Sequence, residues 1–331
     1  MSKTIWLNLD SEKVDVSYLF DFCRERGWTL LAKPIPTGDE ALTVETARQA
    51  DAVISTWEPW NERTLPQVKD KIRYIVRYGA GLDNIDIPAA TKEGILVGNV
   101  PGANSPAVAE VALLHMLNIG RRFSHCTEGC RKGIWPSTIT GNELDGKTVG
   151  LLGFGNIGKQ LVRLLRGFEV NILVYDAFFP DQDDAKYGVT FVKDAERLYR
   201  ESDILSLHVP LNGETRGMIN KDVFRLMKPS AYLINTCRGP VVNETDLIEA
   251  LRTGAIRGAG LDVLTEEPPQ ADNPLLSMDN VSVTSHMGAA SLESEHRSQV
   301  IIGDCLADYF AGNIPYNVKN KEAAQNGNAV K

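Results

Sequence analysis

The stretch KTVGLLGFGNIGKQLVRLL, residues 147–165, decides the fold. An apolar run from Thr148 to Leu152 reads as a strand, Gly153, Gly155 and Gly158 follow in a G-x-G-x-x-G pattern, and an amphipathic helical pattern begins at once. The first glycine permits a tight turn, the second lets a pyrophosphate approach the backbone, and the third lets helix and strand pack closely. Free amides at the helix start attract the phosphates. Outside a strand-turn-helix the same glycines would describe no more than a flexible turn. The next strand, in ILVYDAFF, ends at Asp176, placed to accept hydrogen bonds from the adenosine ribose hydroxyls and to repel a 2′-phosphate. Ala177, Phe178, Phe179 and Pro180 add no basic residue, so NAD is expected rather than NADP. The plainer alternative is a strand-end aspartate in a turn.

Downstream, strands are expected at Asn171 to Tyr175, Ile204 to Val209, Tyr232 to Asn235, Gly258 to Asp262 and Val281 to Thr284. Helices separate them, one opened by Asn243 with Glu244 and Asp246 in its first turn, where the helix dipole favours negative charge. That is a doubly wound parallel sheet. Upstream, strand patterns at Thr4 to Leu7, Ala52 to Ser55, Ile72 to Arg77 and Ile95 to Gly98, with a helix through Tyr18 to Arg26, point to a second parallel α/β unit. Between them NVPGANSPAVAEVALLHMLNIGRRF, residues 99–123, reads as one long, mostly buried helix reaching Phe123, capped by Asn104 or Ser105 with Pro106 at an early position. A second long helix is expected from Ala290 to Phe310, and the tail KNKEAAQNGNAVK, residues 319–331, has too little apolar content to order itself.

Bulk properties set limits. A chain of 331 residues exceeds what one hydrophobic core supports, so two domains are expected. Hydrophobic residues at 43% and charged residues at 24% fit a globular protein, and the net charge of -8 disfavours nucleic acid or an anionic membrane as partner. The opening MSKTIWLNLD carries no secretory pattern, and no apolar run is long enough to span a bilayer. Five scattered cysteines, Cys23, Cys126, Cys130, Cys237 and Cys305, suit a reducing cytoplasm. Cys126 and Cys130 beside His125 lack a second pair that would complete a tetrahedral site, so no metal is expected.

Hydride transfer between a nicotinamide and a 2-oxo acid needs a cation for the substrate carboxylate and carbonyl, and an acid for the developing alkoxide. Arg238, in LINTCRGPVVNE, lies just past a strand, where a doubly wound sheet opens its ligand crevice, and its planar fork can bind a carboxylate through two hydrogen bonds. His286, in VSVTSHMGAAS, occupies an equivalent position. Of the other four histidines among the five, His115 falls within the apolar helix, His125 and His296 on polar helical stretches, and His208 ends a strand beside Pro210, where both could line the cofactor crevice. A carboxylate in LDVLTEEPP can hold the other imidazole nitrogen, and Glu266 and Glu267 are equal rivals for that role.

NVPGANSPAVAE, GLLGFGNIGKQ, HVPLNGETRGMIN, LINTCRGPVV, GLDVLTEEPP and TSHMGAAS, in this order from about Tyr74 to Asn317, resemble the signature blocks of the D-isomer-specific 2-hydroxyacid dehydrogenases. The resemblance implies Arg238 as substrate-binding residue, His286 as acid/base and Glu267 as the residue orienting it. It further implies Ala80 and Gly81 at the substrate, and Asn156, Ile157, Thr215, Thr236, Cys237, Asp262 and Gly288 at the cofactor. It also implies a Rossmann cofactor domain, residues 102–289, inserted into a discontinuous flavodoxin-like substrate domain, residues 1–101 and 290–331, closing over the cleft and paired as a homodimer through the cofactor domains. The rival functions within this chemistry are phosphoglycerate dehydrogenase and hydroxypyruvate or glyoxylate reductase. A NAD(H)-sensing corepressor-like binding protein is the rival outside it.

Departures narrow the substrate. VISTWEPWNE offers Ser55, Trp57 and Glu58 where the phosphoglycerate branch carries arginines, so phosphorylated substrates are disfavoured, and its tryptophans fit a flat apolar pocket or simple packing. Side-chain selectivity is expected near Ser55 to Trp60, Tyr78 and Trp135. Cys237, where a small residue is usual, is a candidate oxidation-sensitive thiol. Substrate, direction and pathway are not fixed by the sequence.

Overall fold

The short apolar runs on either side of the glycine loop become parallel strands, and the segments between them form helices. The computed structural model describes residues 2–135, 138–178 and 184–326. The chain forms two compact units, Met1–Asn104 with Ser291–Lys331, and Ser105–Ala290. The first unit contains β1 (Thr4–Leu7), α1 (Ser17–Glu25), β2 (Thr29–Ala32), α2 (Glu40–Ala47), β3 (Ala52–Ser55), β4 (Tyr74–Arg77), α3 (Ile87–Lys92) and β5 (Leu96–Gly98). The second contains α4 (Ser105–Arg121), α5 (Phe123–Arg131), β6 (Thr148–Leu152), α6 (Asn156–Leu165), β7 (Asn171–Tyr175), α7 (Asp184–Tyr187) and β8 (Thr190–Phe191). It continues through α8 (Ala195–Glu201), β9 (Ile204–Leu207), α9 (Lys221–Leu226), β10 (Tyr232–Asn235), α10 (Glu244–Thr253), β11 (Gly258–Leu261) and β12 (Val281–Val283). The chain then returns to the first unit as α11 (Leu292–Phe310) and α12 (Ala323–Asn326).

The first sheet runs β2-β1-β3-β4-β5 and the second β12-β11-β10-β9-β6-β7-β8, with every strand pairing parallel. The first is the flavodoxin-like order. The second is the Rossmann order extended by one strand, and its direction of winding reverses between β6 and β9, where such sheets open a ligand crevice. Parallel strands covered on both faces are buried from end to end, as β3, β9 and β10 are, with Ser55, Ser206 and Asn235 as their buried polar residues. Asn243 caps α10 by accepting the Asp246 amide, with Glu244 and Asp246 in the first turn. Among the described residues no helix is long and apolar enough to cross a membrane.

Two expectations need correction. The long helix stops at Arg121, because Arg122 adopts a left-handed φ of 53° and α5 starts anew, leaving Phe123 62% exposed. The cause lies in the chain that returns across the helix end. The Asn142 amide donates to the Gly120 carbonyl at 2.7 Å, and the backbones cross so closely that a Cβ on Gly141 would lie 2.6 Å from that oxygen. The second correction concerns the tail, whose described residues, 319–326, are ordered and include α12, residues 327–331 lying outside the described residues. Its order comes from buried polar bonds, together with Ala323, which is fully buried in the first unit's core. Asn317 donates to the Asn99 carbonyl and accepts from the Tyr74 hydroxyl, and fully buried Asn320 accepts the Val97 amide and donates to the Ile95 carbonyl. The outer edge of β5 is thereby closed.

Replacing Asn320 by alanine strands a buried amide and a buried carbonyl. The expected loss is about 1–3 kcal/mol of stability, read as a lowered urea midpoint; an unchanged midpoint would show that the tail is not part of the first unit's cooperative structure.

Candidate active site

Sequence places Gly153, Gly155 and Gly158 between β6 and α6, and each meets a different constraint. Gly153 has a φ of 98°, and a Cβ there would lie 2.6 Å from the carbonyl oxygen of His208, so the loops after β6 and β9 touch at this point. A Cβ on Gly158 would lie 2.9 Å from the Gly153 carbonyl oxygen. At Gly155 an added Cβ would meet nothing within 4 Å, and no side chain caps α6, whose first residues are Asn156 and Ile157. Open space therefore faces an uncapped helix start, the arrangement that receives a pyrophosphate. Asp176 is held against this loop by the Phe154 amide, 2.7 Å from Oδ2, and the Phe178 amide, 2.9 Å from Oδ1. Phe179 and Pro180 lie outside the described residues.

Neighbouring strand ends carry buried polar atoms without a protein partner, His208 Nδ1 after β9 and Thr236 Oγ1 after β10. Burial pushes the His208 imidazole down to about 4, so it is neutral, with Nε2 paired to Ser206 Oγ at 3.0 Å. Thr215 Oγ1 donates to the Pro210 carbonyl and so shapes the same loop. The open Gly155 cradle, the uncapped helix and these two orphaned atoms fit a dinucleotide.

Arg238 leaves the tip of β10, where Asn235 Nδ2 donates to its carbonyl at 3.0 Å and its own Nη1 donates to the Cys237 carbonyl at 2.7 Å. Gly239 follows because the segment after β11 crosses here, and a Cβ would collide with the Leu264 carbonyl. That segment delivers Glu267, whose Oε2 is 2.7 Å from His286 Nδ1 while Oε1 accepts the Leu264 amide at 2.9 Å. Glu266, the rival, pairs instead with Gln270. Partial burial alone would raise the Glu267 carboxyl, but hydrogen bonds from His286 and the Leu264 amide, with the charges of His286 and Arg238, outweigh it and hold the group below its usual range.

His286 has a left-handed φ of 54°, uncommon outside glycine, and Asp262 holds the turn that imposes it. The Asp262 carbonyl accepts the His286 amide at 2.8 Å, and its carboxylate accepts the Met287 amide, the Gly288 amide and the Thr284 hydroxyl. A Cβ on Gly288 would sit 2.9 Å from Asp262 Oδ2, so glycine is required there by close approach. Sequence reasoning passed over Thr284, and it left His115 as a packing residue; their spacing to His286 carries no pattern, because they come from β12's end and α4.

Several expected roles change. Cys237 is 8% exposed and burial pushes its thiol up to about 11, with Sγ bonded to Asn235 Oδ1, which makes a poor oxidation sensor. In the first unit Ser55, Glu58 and Trp60 turn inward rather than lining a pocket. Glu58 is fully buried among Asn8, Thr56 and Trp60, and Trp60 packs edge-on against Trp6. Trp57 is exposed, with the Arg77 guanidinium 4.8 Å from its ring centroid; Arg77, at the end of β4, is a cation the sequence reading missed. Ala80 and Gly81 follow in the same unit, Ala80 accepting a hydrogen bond from Asn99 Nδ2 at 2.6 Å.

Gly155→Val separates binding from folding. The space is open, so the unfolding midpoint is expected to stay near wild type while NADH affinity, followed by fluorescence, falls at least about tenfold. Retained affinity would remove the dinucleotide from this loop. Glu267 gives a pH signature. A carboxyl lowered on folding adds stability above its ordinary pKa, and that stability is lost as pH falls through the lowered value. Wild type should therefore exceed Glu267→Gln in stability above the ordinary glutamate pKa of about 4.3 and lose that margin as pH falls below it; a gap independent of pH would contradict the ion pair.

The family model of the D-isomer specific 2-hydroxyacid dehydrogenase NAD binding domain matches residues 113–288. A D-3-phosphoglycerate dehydrogenase of Methanocaldococcus jannaschii is 38% identical over 278 residues, covering 84% of this chain but 53% of the relative, so the chain spans about half of that protein. A glyoxylate reductase of Korarchaeum cryptofilum is 36% identical over 287 residues, 85% of this chain and 86% of its own. Among solved structures, a glyoxylate reductase from Paecilomyes thermophila superposes with a TM-score of 0.86 at 27% identity, covering 97% of this chain and 99% of that one. With its two parallel sheets, its glycine loop and these relatives, the chain belongs to the D-isomer specific 2-hydroxyacid dehydrogenases, a family of NAD-dependent oxidoreductases.

Proposed function

We propose that this chain reduces a short, unphosphorylated 2-oxo acid to the D-2-hydroxy acid, with Arg238, Glu267 and His286 as its working groups. The observation that carries the reading is the 2.7 Å contact between His286 Nδ1 and Glu267 Oε2, made within the electrostatic reach of Arg238. The reduced nicotinamide, when bound, supplies the hydride for the carbonyl carbon. Arg238 neutralises the substrate carboxylate and polarises its carbonyl, its backbone fixed by Asn235. Glu267 accepts the Nδ1 proton of His286, so the second proton of the imidazolium sits on Nε2, from which it passes to the carbonyl oxygen as negative charge develops there. His286 then ends neutral and is reprotonated from solvent, and oxidation of the hydroxy acid runs through the same groups in reverse. Gly153, Gly155, Asn156, Ile157, Gly158 and Asp176 hold the cofactor at the β6 side, and His208, Pro210, Thr215, Thr236 and Cys237 line it at the β9 and β10 ends. Asp262 and Gly288 act through the turn that carries His286.

Relatives named for glyoxylate and for phosphoglycerate leave two substrate sizes in play. The inward-facing Ser55 and Glu58, and an Arg77 engaged with the Tyr78 carbonyl and the Trp57 ring, favour the unphosphorylated acid. A cytoplasmic location is supported by five free cysteines, three of them buried. Association as a homodimer through the cofactor-binding unit is supported by exposed Phe123, Ile134 and Trp135, at 62%, 59% and 84%.

NADH oxidation with hydroxypyruvate, glyoxylate and 3-phosphohydroxypyruvate tests the reading. His286→Ala is expected to lose about 10²–10⁴-fold in kcat while binding NADH as wild type does. Binding without turnover of any oxoacid in the wild type would favour a nucleotide-sensing protein, and faster turnover of the phosphorylated acid would reverse the substrate assignment. Light scattering should give a dimer mass that Trp135→Glu reduces; a monomeric wild type contradicts the assembly.

A further inference from the structure

The His286 turn rests on a chain of polar groups that continues into the interior of the second unit. Asp262 is 1% exposed, and Thr284 Oγ1 lies 2.6 Å from its Oδ1. The Thr284 hydroxyl donates its single proton to Asp262, which leaves its oxygen with acceptor capacity alone. His115 Nε2 stands 3.0 Å from that oxygen. His115 is 2% exposed on α4, a helix whose other buried positions there are apolar or small. The sheet makes room for it. A Cβ on Gly260 would lie 2.7 Å from His115 Cβ, so β11 carries glycine where the imidazole crosses. Burial pushes the His115 imidazole down, against the opposing charge of Asp262, so the ring stays neutral and has one N–H to give.

We propose that His115 is a positioning residue for the reaction: its Nε2–H orients Thr284, Thr284 orients the Asp262 carboxylate, and Asp262 holds His286 in the left-handed conformation that presents it to Glu267. The inference rests on the reading of His286 as proton donor. The relay moves no proton. Its effect is geometric, because each acceptor is locked to one donor and the turn has one way to close. Buried polar chains of this kind fix a conformation most firmly when every member is paired, and removing one end member leaves its neighbour's orientation undetermined.

The test uses full-length protein carrying ¹⁵N-histidine, with the five histidines assigned by single variants. His115 is expected in the Nε2–H tautomer, and the His286 Nδ1 proton to be protected from exchange by Glu267; His115 in the Nδ1–H tautomer overturns the relay. In His115→Leu and Thr284→Val that Nδ1 proton should exchange at least about tenfold faster, and kcat for the oxoacid turned over best should fall about tenfold with KM for NADH within about twofold. His115→Gln, whose amide nitrogen can stand where Nε2 stood, should recover kcat to within about threefold. Leucine and glutamine variants that slow equally would mean the site asks only for volume, and variants matching wild type would mean Asp262 needs no support; either overturns the proposal. Thr284→Val removes one hydroxyl at nearly constant shape and carries the test if His115→Leu does not fold. A wild type without turnover overturns the functional reading instead, and the tautomer and the His286 proton still decide the relay.

Discussion

A buried carboxylate gathers the turn that matters most. Asp262 takes the Thr284 hydroxyl and the Met287 and Gly288 amides on its side chain, and the His286 amide on its carbonyl. A non-glycine residue in the left-handed region costs about 1–2 kcal/mol, and the four bonds hold His286 there at a φ of 54°. The turn so held carries the imidazole that pairs with Glu267. The 2.7 Å pair with Glu267, and the chemistry assigned to it, therefore depend on a residue that contributes no reacting atom.

The rest of the cofactor-binding unit converges because all its strands point the same way. Residues just past β6, β9, β10, β11 and β12 are distant in sequence but share one edge of the sheet, which brings Gly153, His208, Thr236, Arg238, Asp262 and His286 together. Close packing of the loops is paid in glycine: Gly153 against His208, Gly239 against Leu264, Gly260 against His115 and Gly288 against Asp262 each lack the room for a Cβ. Those glycines are the sequence's record of backbone approaches.

Where a signal is local, it could be read in advance. The glycine loop, Asp176, the Asn243 cap and the strands of both sheets follow from apolar periodicity and short motifs, and they fall within two residues of the expected bounds. Two short strands, β2 and β8, were missed, one pressed directly after a helix and the other two residues long. What the pattern could not carry was tertiary. Nothing local foretells that the chain at Asn142 takes the Gly120 carbonyl and ends α4, or that Asn320 completes the edge of β5. The choice between Glu266 and Glu267 had no local answer, since both precede the prolines and only the path after β11 shows which one reaches His286. Likewise an apolar helix gives no local sign that His115 stands beside Thr284, and through it Asp262.

The proposed chemistry needs two side chains, Arg238 and His286, to meet one small oxoacid next to the nicotinamide. A crystal structure of the complex with NADH and oxamate tests this most directly. It should place His286 Nε2 within about 3 Å of the oxamate carbonyl oxygen, with the Arg238 guanidinium on the same ligand and the pyrophosphate over Gly155. Oxamate bound away from His286, or a dinucleotide seated elsewhere than the β6–α6 loop, would contradict it.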